Sequence, residues 1–566
     1  MKKLFAVVLL CWSLVAFAGA DEALRAKITR MLIVGFDAAA LHDDSPIART
    51  LRRLPLGGVI LFDRDYRDRN RSKNIVSPKQ LETLTAQLRG AARAPLLIAV
   101  DQEGGKVQRL KPSAGFAGFP SAMQVGKRRD DVYARAVYDA LAAELAGAGI
   151  NLDFAPVVDL ARNPDNFVIF KLQRSYGADP AEVARMAGIF AEALRAHGVV
   201  PVLKHFPGHG SSLGDSHKGF VDVTDTWKPD ELEPYRLLIA AGDADMIMTA
   251  HVFNRRLDAR YPATLSRKVN TQLLRNRLGF SGVIVSDDLQ MKAISEHYSL
   301  RETVRLAIDA GVDMLLFGNQ LGKTTPDEVI DAVEAEVEAG RIPRSRIDAS
   351  AARIEALTAK YGIGAPTIVE KPIRFGKKRV ALTKAYIAKH YGKTVHDIRI
   401  DPKIIVLHWT ADTDMNRSFA MLDPEVLPGA RGDIAAAGAL NVSAHYLVDR
   451  DGTIYRLMPD NVMARHVIGL NDGSIGIENV GGEGNAKDDL TDAQLYANIA
   501  LVRYLKRKYP GIRYLIGHHE YRRMEHTPLW HEKDKGYRTV KKDPGDRFMR
   551  AVRRGVRDLG LEAPPR

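Results

Sequence analysis

Between residues 25 and 362, short apolar runs alternate with segments of helical period such as residues 131–148 and 180–197. The runs have the length of buried strands and lie at residues 31–36, 58–62, 96–100, 152–158, 199–203, 246–250, 283–285 and 314–317. Eight strands that alternate with helices predict an α/β fold, and this length of chain suits a (β/α)8 TIM-type barrel. In such barrels the chemistry lies at the carboxyl ends of the strands.

A different pattern begins near residue 376. Residues 443–455 predict a hairpin that turns at Asp451-Gly452, and further strands are predicted at residues 404–410, 474–480 and 514–519. Glycine and proline in residues 362–367, without a clear period, mark the boundary between the two regions. The predicted organisation is a signal peptide at 1–20, a barrel at 21–363, a linker at 364–378 and a smaller mixed α/β domain with a central sheet at 379–566.

The first twenty residues have the pattern of an export signal. Met1-Lys2-Lys3 is a charged start, residues 4–18 are apolar, and small residues precede Asp21, so cleavage after Ala20 is expected. Cys11 is the one cysteine and lies in the apolar stretch, so the mature chain would form no disulfide. We expect an exported monomer, periplasmic or otherwise in the cell envelope or secreted, without stable membrane insertion after cleavage.

Composition narrows the class of protein. The 566 residues are 46% hydrophobic and 27% charged, which is typical of two or three globular domains. The formal net charge is +13, but the chain has no aromatic-interleaved basic patch, zinc finger or recognition-helix pattern. We therefore expect no nucleic-acid partner, and attraction to an anionic envelope polymer fits the charge as well.

Charged residues cluster where the predicted strands end. Asp101 follows the third strand, Lys204 and His205 follow the fifth, and Asp287 and Asp288 follow the seventh. The richest stretch, residues 204–217, holds three histidines, a lysine and an aspartate on a glycine-rich backbone. One such ending fits a capped helix start, whereas several together indicate an active site.

Two stretches, KHFPGHGSSLGDSH at residues 204–217 and SDDLQM at residues 286–291, closely resemble signatures of family 3 glycoside hydrolases. The match is to the β-N-acetylglucosaminidase branch that trims peptidoglycan fragments, and it covers nearly all of the first domain. The resemblance implies that Asp287 is the nucleophile that forms a glycosyl-enzyme. It implies that His217 is the general acid and base and that Asp215 orients it.

The same resemblance implies which residues hold the N-acetylglucosamine ring: Asp101, Arg109, Arg174, Lys204 and His205. The aspartate would accept hydrogen bonds from ring hydroxyls, and the cations and the imidazole would donate. Residues 163–173, just before Arg174, differ from the family's usual lead-in and look slightly longer. This difference leaves the position of Arg174 open.

Local strings in the second region resemble zinc-dependent N-acetylmuramoyl-L-alanine amidases related to phage lysozyme-type amidases. The resemblance implies that His408, His518 and Asp543 bind one Zn²⁺ and that Glu478 is the base for the attacking water. His519 instead of His518, and another divalent ion instead of zinc, remain alternatives.

The amidase resemblance also implies roles outside the ligand set. Lys541 would stabilise the oxyanion that forms when water attacks the lactyl amide carbonyl, and Tyr446 and His466 would contact the substrate. Peptidoglycan-recognition proteins share this fold and bind without cutting when they lack metal ligands. Because the ligands, the acid and the lysine are all present here, the resemblance favours catalysis.

Both resemblances converge on peptidoglycan fragments, the N-acetylglucosaminyl-N-acetylmuramoyl-peptides. The first domain would remove non-reducing β-1,4-linked N-acetylglucosamine without a cofactor. The second would cut between the muramic lactyl group and L-alanine, and together they would serve cell-wall turnover or recycling. The alternative is a glycosidase of other specificity, such as a β-glucosidase, joined to a domain that only binds peptidoglycan.

Overall fold

The computed structural model describes residues 22–42, 44–68, 70–216, 218–364, 366, 368–429 and 437–565. The chain divides into two compact units between Ile363 and Gly364. Two predictions lie outside the described residues: the signal peptide at 1–20 and the acid–base residue His217. Among the helices of the described ranges, none is both long and apolar enough to cross a membrane.

The first unit contains a ring of parallel strands. Within its described part the strands are β1 (Leu32–Gly35), β2 (Gly58–Ile60), β3 (Leu97–Val100), β4 (Leu152–Asp153), β5 (Val200–Phe206), β6 (Met246–Thr249), β7 (Val283–Ser286) and β8 (Leu315–Phe317). Their order in the sheet is β7-β6-β5-β4-β3-β2-β1-β8. A parallel bridge between Val285 and Met314 joins β7 to the start of β8 and nearly closes the barrel. The predicted fold class is confirmed.

Helices surround these strands. They lie at residues 22–30 and at Pro46–Arg53, Pro78–Ala91, Ala122–Arg128, Asp131–Gly147, Pro180–Ala196, Glu233–Ala241, Lys292–Ser295, Leu300–Ala310, Pro326–Glu338 and Arg344–Lys360, with a π-helix at Lys268–Arg277. Side-chain caps start several of them, because the first backbone N–H groups of a helix lack intrahelical partners. Asp130 accepts from the backbone N–H of Tyr133, and Asp179 accepts from that of Glu182. The strands are buried, as expected for a parallel sheet.

The second unit has one mixed sheet in its described residues. Its strands are β9 (Ile368–Glu370), β10 (Ile404–Trp409), β11 (Tyr446–Val448), β12 (Ile454–Arg456), β13 (Ser474–Asn479) and β14 (Tyr514–Gly517). The order is β9-β12-β11-β13-β10-β14, and only β11 and β12 pair antiparallel, as the predicted hairpin. The stretch 364–378, predicted as a linker, contains the edge strand β9.

Helices and side-chain alternation give the second sheet two distinct faces. In the described residues of this unit, the α-helices lie at Lys377–Tyr391, Met415–Leu422, Asp492–Lys508 and Asp546–Gly555. Ile405 and Leu407 of β10 belong to one hydrophobic core, and Ile404 and Val406 belong to another. His408 therefore projects on the same face as Ile404 and Val406, because side chains along a strand alternate between faces.

Candidate active sites

The first site forms where the barrel strands end. Asp101 directly follows β3, Lys204 and His205 lie in the last part of β5, and Asp287 directly follows β7. β5 continues to Phe206, three residues beyond its predicted end, so Lys204 and His205 are strand residues. Parallel strands of a barrel end at one rim, and these side chains therefore face a common site.

Opposite charges alternate in this site. The Lys204 ammonium lies 2.9 Å from Asp101 Oδ1 and 2.7 Å from Glu103 Oε1. Arg174 donates to both carboxylate oxygens of Glu103, at 2.8 and 2.7 Å. Arg109 Nη2 lies 3.2 Å from Asp101 Oδ2. Charge-assisted bonds of this kind hold each side chain in a defined position before substrate arrives.

The network keeps its acids ionised. Burial alone would raise the pKa of Asp101, but Lys204 and Arg109 hold that pKa well below its ordinary value. Burial likewise opposes ionisation of Glu103, and Arg174 and Lys204 lower the pKa of Glu103 below its ordinary value. Ionised carboxylates are pure hydrogen-bond acceptors, which suits the recognition of sugar hydroxyls.

His205 is held by a third carboxylate of the site, that of Asp159. Its Nδ1 lies 2.6 Å from Asp159 Oδ2, and its Nε2 accepts from Arg174 Nη2 at 3.3 Å. Burial, and then the charges of Arg174 and Lys204, bring the pKa of His205 well below its ordinary value. The imidazole is therefore neutral, with a proton on Nδ1, and both ring nitrogens have protein partners.

The predicted nucleophile and the predicted acid–base loop lie at one end of the barrel. The Asp287 backbone N–H donates to the Thr249 carbonyl at 3.2 Å, which fixes Asp287 between β6 and β7. The carbonyl of Ser216 accepts from the backbone N–H of Ala293 at 3.2 Å. The loop that carries Asp215 is thereby tied to the segment that follows Asp287.

The unusual segment at residues 163–173 still delivers Arg174 to the site. Asn166 is buried, and its amide donates to the carbonyls of His209 and Gly210 at 2.8 and 3.1 Å. The Arg174 backbone N–H donates to the Ile169 carbonyl at 3.0 Å. These bonds attach the segment to the loop after β5 and direct Arg174 toward Glu103.

The second site is a compact group of three buried side chains. His408 Nδ1 lies 2.9 Å from His518 Nδ1 and 3.3 Å from Asp543 Oδ2, and the latter two atoms lie 2.9 Å apart. Burial, then the neighbouring His518, lowers the pKa of His408 to about 4. Two imidazoles and a carboxylate, with potential ligand atoms within 4.8 Å of one another, fit a catalytic zinc ion.

A cleft of about 360 Å³ adjoins this group. Glu478 and Lys541 line the cleft together with His518 and Asp543. Glu478 of β13 is the register partner of His408 in β10, so both side chains project on the same face. The cleft therefore combines the predicted ligands with an acid and a lysine.

Two protein-family models match this chain, one in each of its two regions. Residues 23–357, more than half of the chain, match the model of the glycosyl hydrolase family 3 N terminal domain. The chain belongs to glycosyl hydrolase family 3. Residues 399–546 match the model of N-acetylmuramoyl-L-alanine amidase. The resemblances inferred from the sequence are thus confirmed for both regions.

Individual relatives agree with the family 3 assignment. Beta-hexosaminidase LpqI of Mycobacterium tuberculosis is 39% identical over 342 residues, which cover 59% of this chain and 82% of the relative. A solved glycoside hydrolase family 3 β-N-acetylglucosaminidase from Paenibacillus sp. matches with a TM-score of 0.55 and 27% identity, covering 87% of this chain and 84% of that one. A β-N-acetylhexosaminidase from Beutenbergia cavernae matches with a TM-score of 0.52 and 32% identity, over 60% and 98%.

One sequence assignment in the amidase-like domain changes. Tyr446 was expected at the substrate, but it is fully buried in the core that contains Ile405 and Leu407, and its hydroxyl donates to Asp460 at 3.1 Å. Its register partner is Ile477, so Tyr446 projects on the face opposite Glu478. The prediction for Tyr446 is wrong because strand alternation turns this side chain away from the cleft.

The choice between His518 and His519 also becomes clear. His519 Nδ1 lies 2.9 Å from the Asp543 carbonyl oxygen, and its Nε2 lies 3.0 Å from Asp546. His518 instead points into the three-residue group. His466, predicted at the substrate, lines the cleft and places Nδ1 at 3.0 Å from His408 Nε2.

Sequence reasoning missed several participants. Asp159 comes one residue after the predicted fourth strand, and only its pairing with His205, 46 positions away, shows its role. The sequence signal for Glu103 was its place two residues after Asp101, as an acid just after a predicted strand. In the second domain, Trp409 lines the cleft and donates to Asn485 Oδ1 at 2.8 Å.

Proposed function

We propose that the first domain is a retaining β-N-acetylhexosaminidase that removes non-reducing N-acetylglucosamine from β-1,4-linked N-acetylmuramic acid. The proposal is supported by the family 3 assignment and, above all, by the junction of Asp101, Lys204 and Asp287 at one end of the barrel. Asp101 and Lys204 bind the sugar hydroxyls. Asp287 attacks the anomeric carbon and forms a glycosyl ester as the bond to the leaving oxygen breaks.

His217, oriented by Asp215, supplies the proton that the leaving oxygen takes. It then accepts a proton from the water that hydrolyses the ester, so the product keeps the β configuration. An imidazole with an ordinary pKa near 6.5 is able to do both near neutral pH.

The glycosidase proposal is tested with Asp287→Asn and with NMR of the first product formed. The variant should lose at least a thousandfold in kcat for an N-acetylglucosaminide, and the wild-type product should appear first as the β anomer. An α anomer would refute retention. Faster hydrolysis of a β-glucoside than of the N-acetylglucosaminide would refute the substrate assignment.

We propose that the second domain hydrolyses the amide between the muramic lactyl group and L-alanine. The single observation that carries this proposal is the buried group of His408, His518 and Asp543 beside the cleft. These three residues would hold zinc, which would supply Lewis-acid chemistry at the amide carbonyl.

Glu478 and Lys541 would carry the steps that belong to the protein itself. Glu478 takes a proton from water as the water oxygen bonds to the carbonyl carbon, while Lys541 donates to the carbonyl oxygen. Glu478 then returns the proton to the alanine nitrogen as the carbon–nitrogen bond breaks.

The amidase proposal is tested with Glu478→Gln. This variant should retain the metal content of the wild type and should lose at least a hundredfold in the rate of peptide release. Wild-type chain that binds a muropeptide without releasing peptide would make the second domain a binding module. Unchanged peptide release in Glu478→Gln would exclude Glu478 as the base.

Muropeptides are the substrate that both proposed activities share. The charged and apolar start of the chain supports a site of action outside the cytoplasm, in the periplasm or cell envelope, where cell-wall turnover produces such fragments. Fractionation of cells that produce the full chain tests this: the mature protein should appear in the periplasmic or secreted fraction.

A further inference from the structure

An exposed aromatic ring and an exposed ammonium group lie side by side near the glycosidase site. Phe167 is 59% exposed, and the side chain of Lys218 is 76% exposed. The Lys218 ammonium lies 5.5 Å from the centroid of the Phe167 ring. A cation over an aromatic face is an attractive arrangement, so the two loops that carry these residues meet here.

Both residues are anchored to the active site through their neighbours. Asn166, directly before Phe167, donates to the His209 carbonyl, and the carbonyl of Val168, directly after it, lies 3.3 Å from Arg174 Nη1. The Lys218 backbone N–H donates to the Asp215 carbonyl at 2.9 Å, and the Lys218 ammonium lies 3.8 Å from Asp215 Oδ2. Phe167 and Lys218 are thus held between the residues proposed to bind the sugar and those proposed to protonate the leaving group.

The position of Phe167 and Lys218 corresponds to the side of the site where the leaving sugar would lie. A general acid must lie within hydrogen-bonding distance of the oxygen it protonates. Residues next to the acid–base loop are therefore on the side from which the leaving sugar departs. An exposed aromatic ring presents a flat apolar face to the C–H groups of a pyranose, and an ammonium attracts an anionic substituent.

We propose that Phe167 and Lys218 form a subsite for the leaving sugar, selective for a pyranose that carries a free carboxylate. The inference rests on the proposed glycosidase function. For a muramic leaving sugar, that carboxylate is the lactyl group after its amide has been cut. The glycosidase should therefore prefer the product of the amidase reaction, which places amide cleavage before sugar release.

The test compares three substrates with a chelator present to silence the second domain. They are the N-acetylglucosaminyl-N-acetylmuramic acid disaccharide, its lactyl methylamide, and N-acetyl-β-glucosaminyl fluoride, whose leaving group has no ring. The wild type should prefer the free acid over the methylamide by roughly two- to fivefold, the strength of an exposed ion pair. Lys218→Gln should lose this preference, and the matched control Lys171→Gln, on the neighbouring loop, should keep it.

Phe167 is tested separately. Phe167→Ala should lower kcat/KM for both disaccharides by on the order of tenfold and leave fluoride hydrolysis unchanged. Phe167→Tyr keeps an aromatic ring and should have the kcat/KM of the wild type. An equal loss on the fluoride would show that Phe167 only supports the loop and would overturn the proposal. Retention of the acid preference in Lys218→Gln would also overturn it. If wild-type chain hydrolyses none of the three substrates, the glycosidase function itself fails.

Discussion

His408 presents its two ring nitrogens to different neighbours. Nδ1 faces His518 and Asp543, whereas Nε2 lies 3.0 Å from His466 Nδ1. His466 Nε2 in turn lies 3.2 Å from Ser474 Oγ. A proton on His408 Nε2, donated to His466, leaves the lone pair of Nδ1 available for a metal. The outer histidine therefore selects the tautomer of the inner one.

We predict that His466→Ala lowers zinc affinity by about tenfold or more, because loss of such an outer partner frees the ligand to rotate and to change tautomer. Titration of metal-free protein with zinc measures the effect without reference to activity. His531→Ala is the matched control, since His531 pairs with Asp472 instead of the ligand group. Equal zinc affinity in His466→Ala and the wild type would contradict this role.

Glu231 is a buried acid beneath the loop that follows β5. Its Oε2 accepts from the Gly210 backbone N–H at 3.1 Å, and a Cβ on Gly208 would lie 2.7 Å from the same oxygen. Burial, and to a smaller extent the charge of Asp159, raises the pKa of Glu231 to about 7. The folded protein therefore favours the neutral carboxyl, while the unfolded chain ionises it near its ordinary pKa.

Stability should consequently fall as pH rises toward 7, because ionisation costs more in the folded state. Glu231→Gln cannot ionise at this position. Between pH 5.5 and pH 8 its free energy of unfolding should therefore rise by about 2 kcal/mol relative to that of the wild type, an order-of-magnitude figure from the pKa difference. Urea denaturation of both proteins at the two pH values measures this. A constant difference between them would contradict a raised pKa.

Strands and loops differ in how far sequence predicts them. All eight barrel runs form strands, because apolar length and alternation with helices are local signals. β5 extends beyond its apolar run through Lys204 and His205, since Asp101, Glu103 and Asp159 pair with these polar residues. Such pairings join positions that are 46 to 103 residues apart, and no spacing along the chain reveals them.

Asn166 connects two loops of the glycosidase site. Besides its bonds to the loop after β5, its side-chain oxygen accepts from the backbone N–H groups of Val168 and Ile169, at 2.9 and 2.8 Å. Removing a buried amide leaves each of these partners without its bond.

We predict that Asn166→Ala lowers the free energy of unfolding of the first domain by about 2–3 kcal/mol. It should also reduce glycosidase activity while amide cleavage stays unchanged. Asn163→Ala is the control, because Asn163 is partly exposed and its side chain makes two bonds, one to the Ser212 carbonyl and one from the backbone N–H of nearby Asp165. Chemical denaturation and both activity assays check the prediction, and equal losses in the two variants would contradict it.

At the scale of the whole molecule, two candidate sites with different sets of side chains lie in two compact units of one chain. The barrel site groups carboxylates with lysine and arginine, whereas the second site groups two imidazoles with a carboxylate. The residues of each site come from one unit, and we therefore expect each activity to survive loss of the other. The division near Ile363 was visible in the sequence as a change of pattern, but the edge strand β9 within the predicted linker was not, because three residues carry too little periodicity.

The most direct test is mass spectrometry of N-acetylglucosaminyl-N-acetylmuramoyl-peptide treated with the mature chain, with and without a chelator. The wild type should release both sugar and peptide, and the chelator should block peptide release alone. Asp287→Asn should release only peptide, and His408→Ala only sugar. Release of sugar alone by the untreated wild type, or loss of both products in either variant, would contradict two independent active sites.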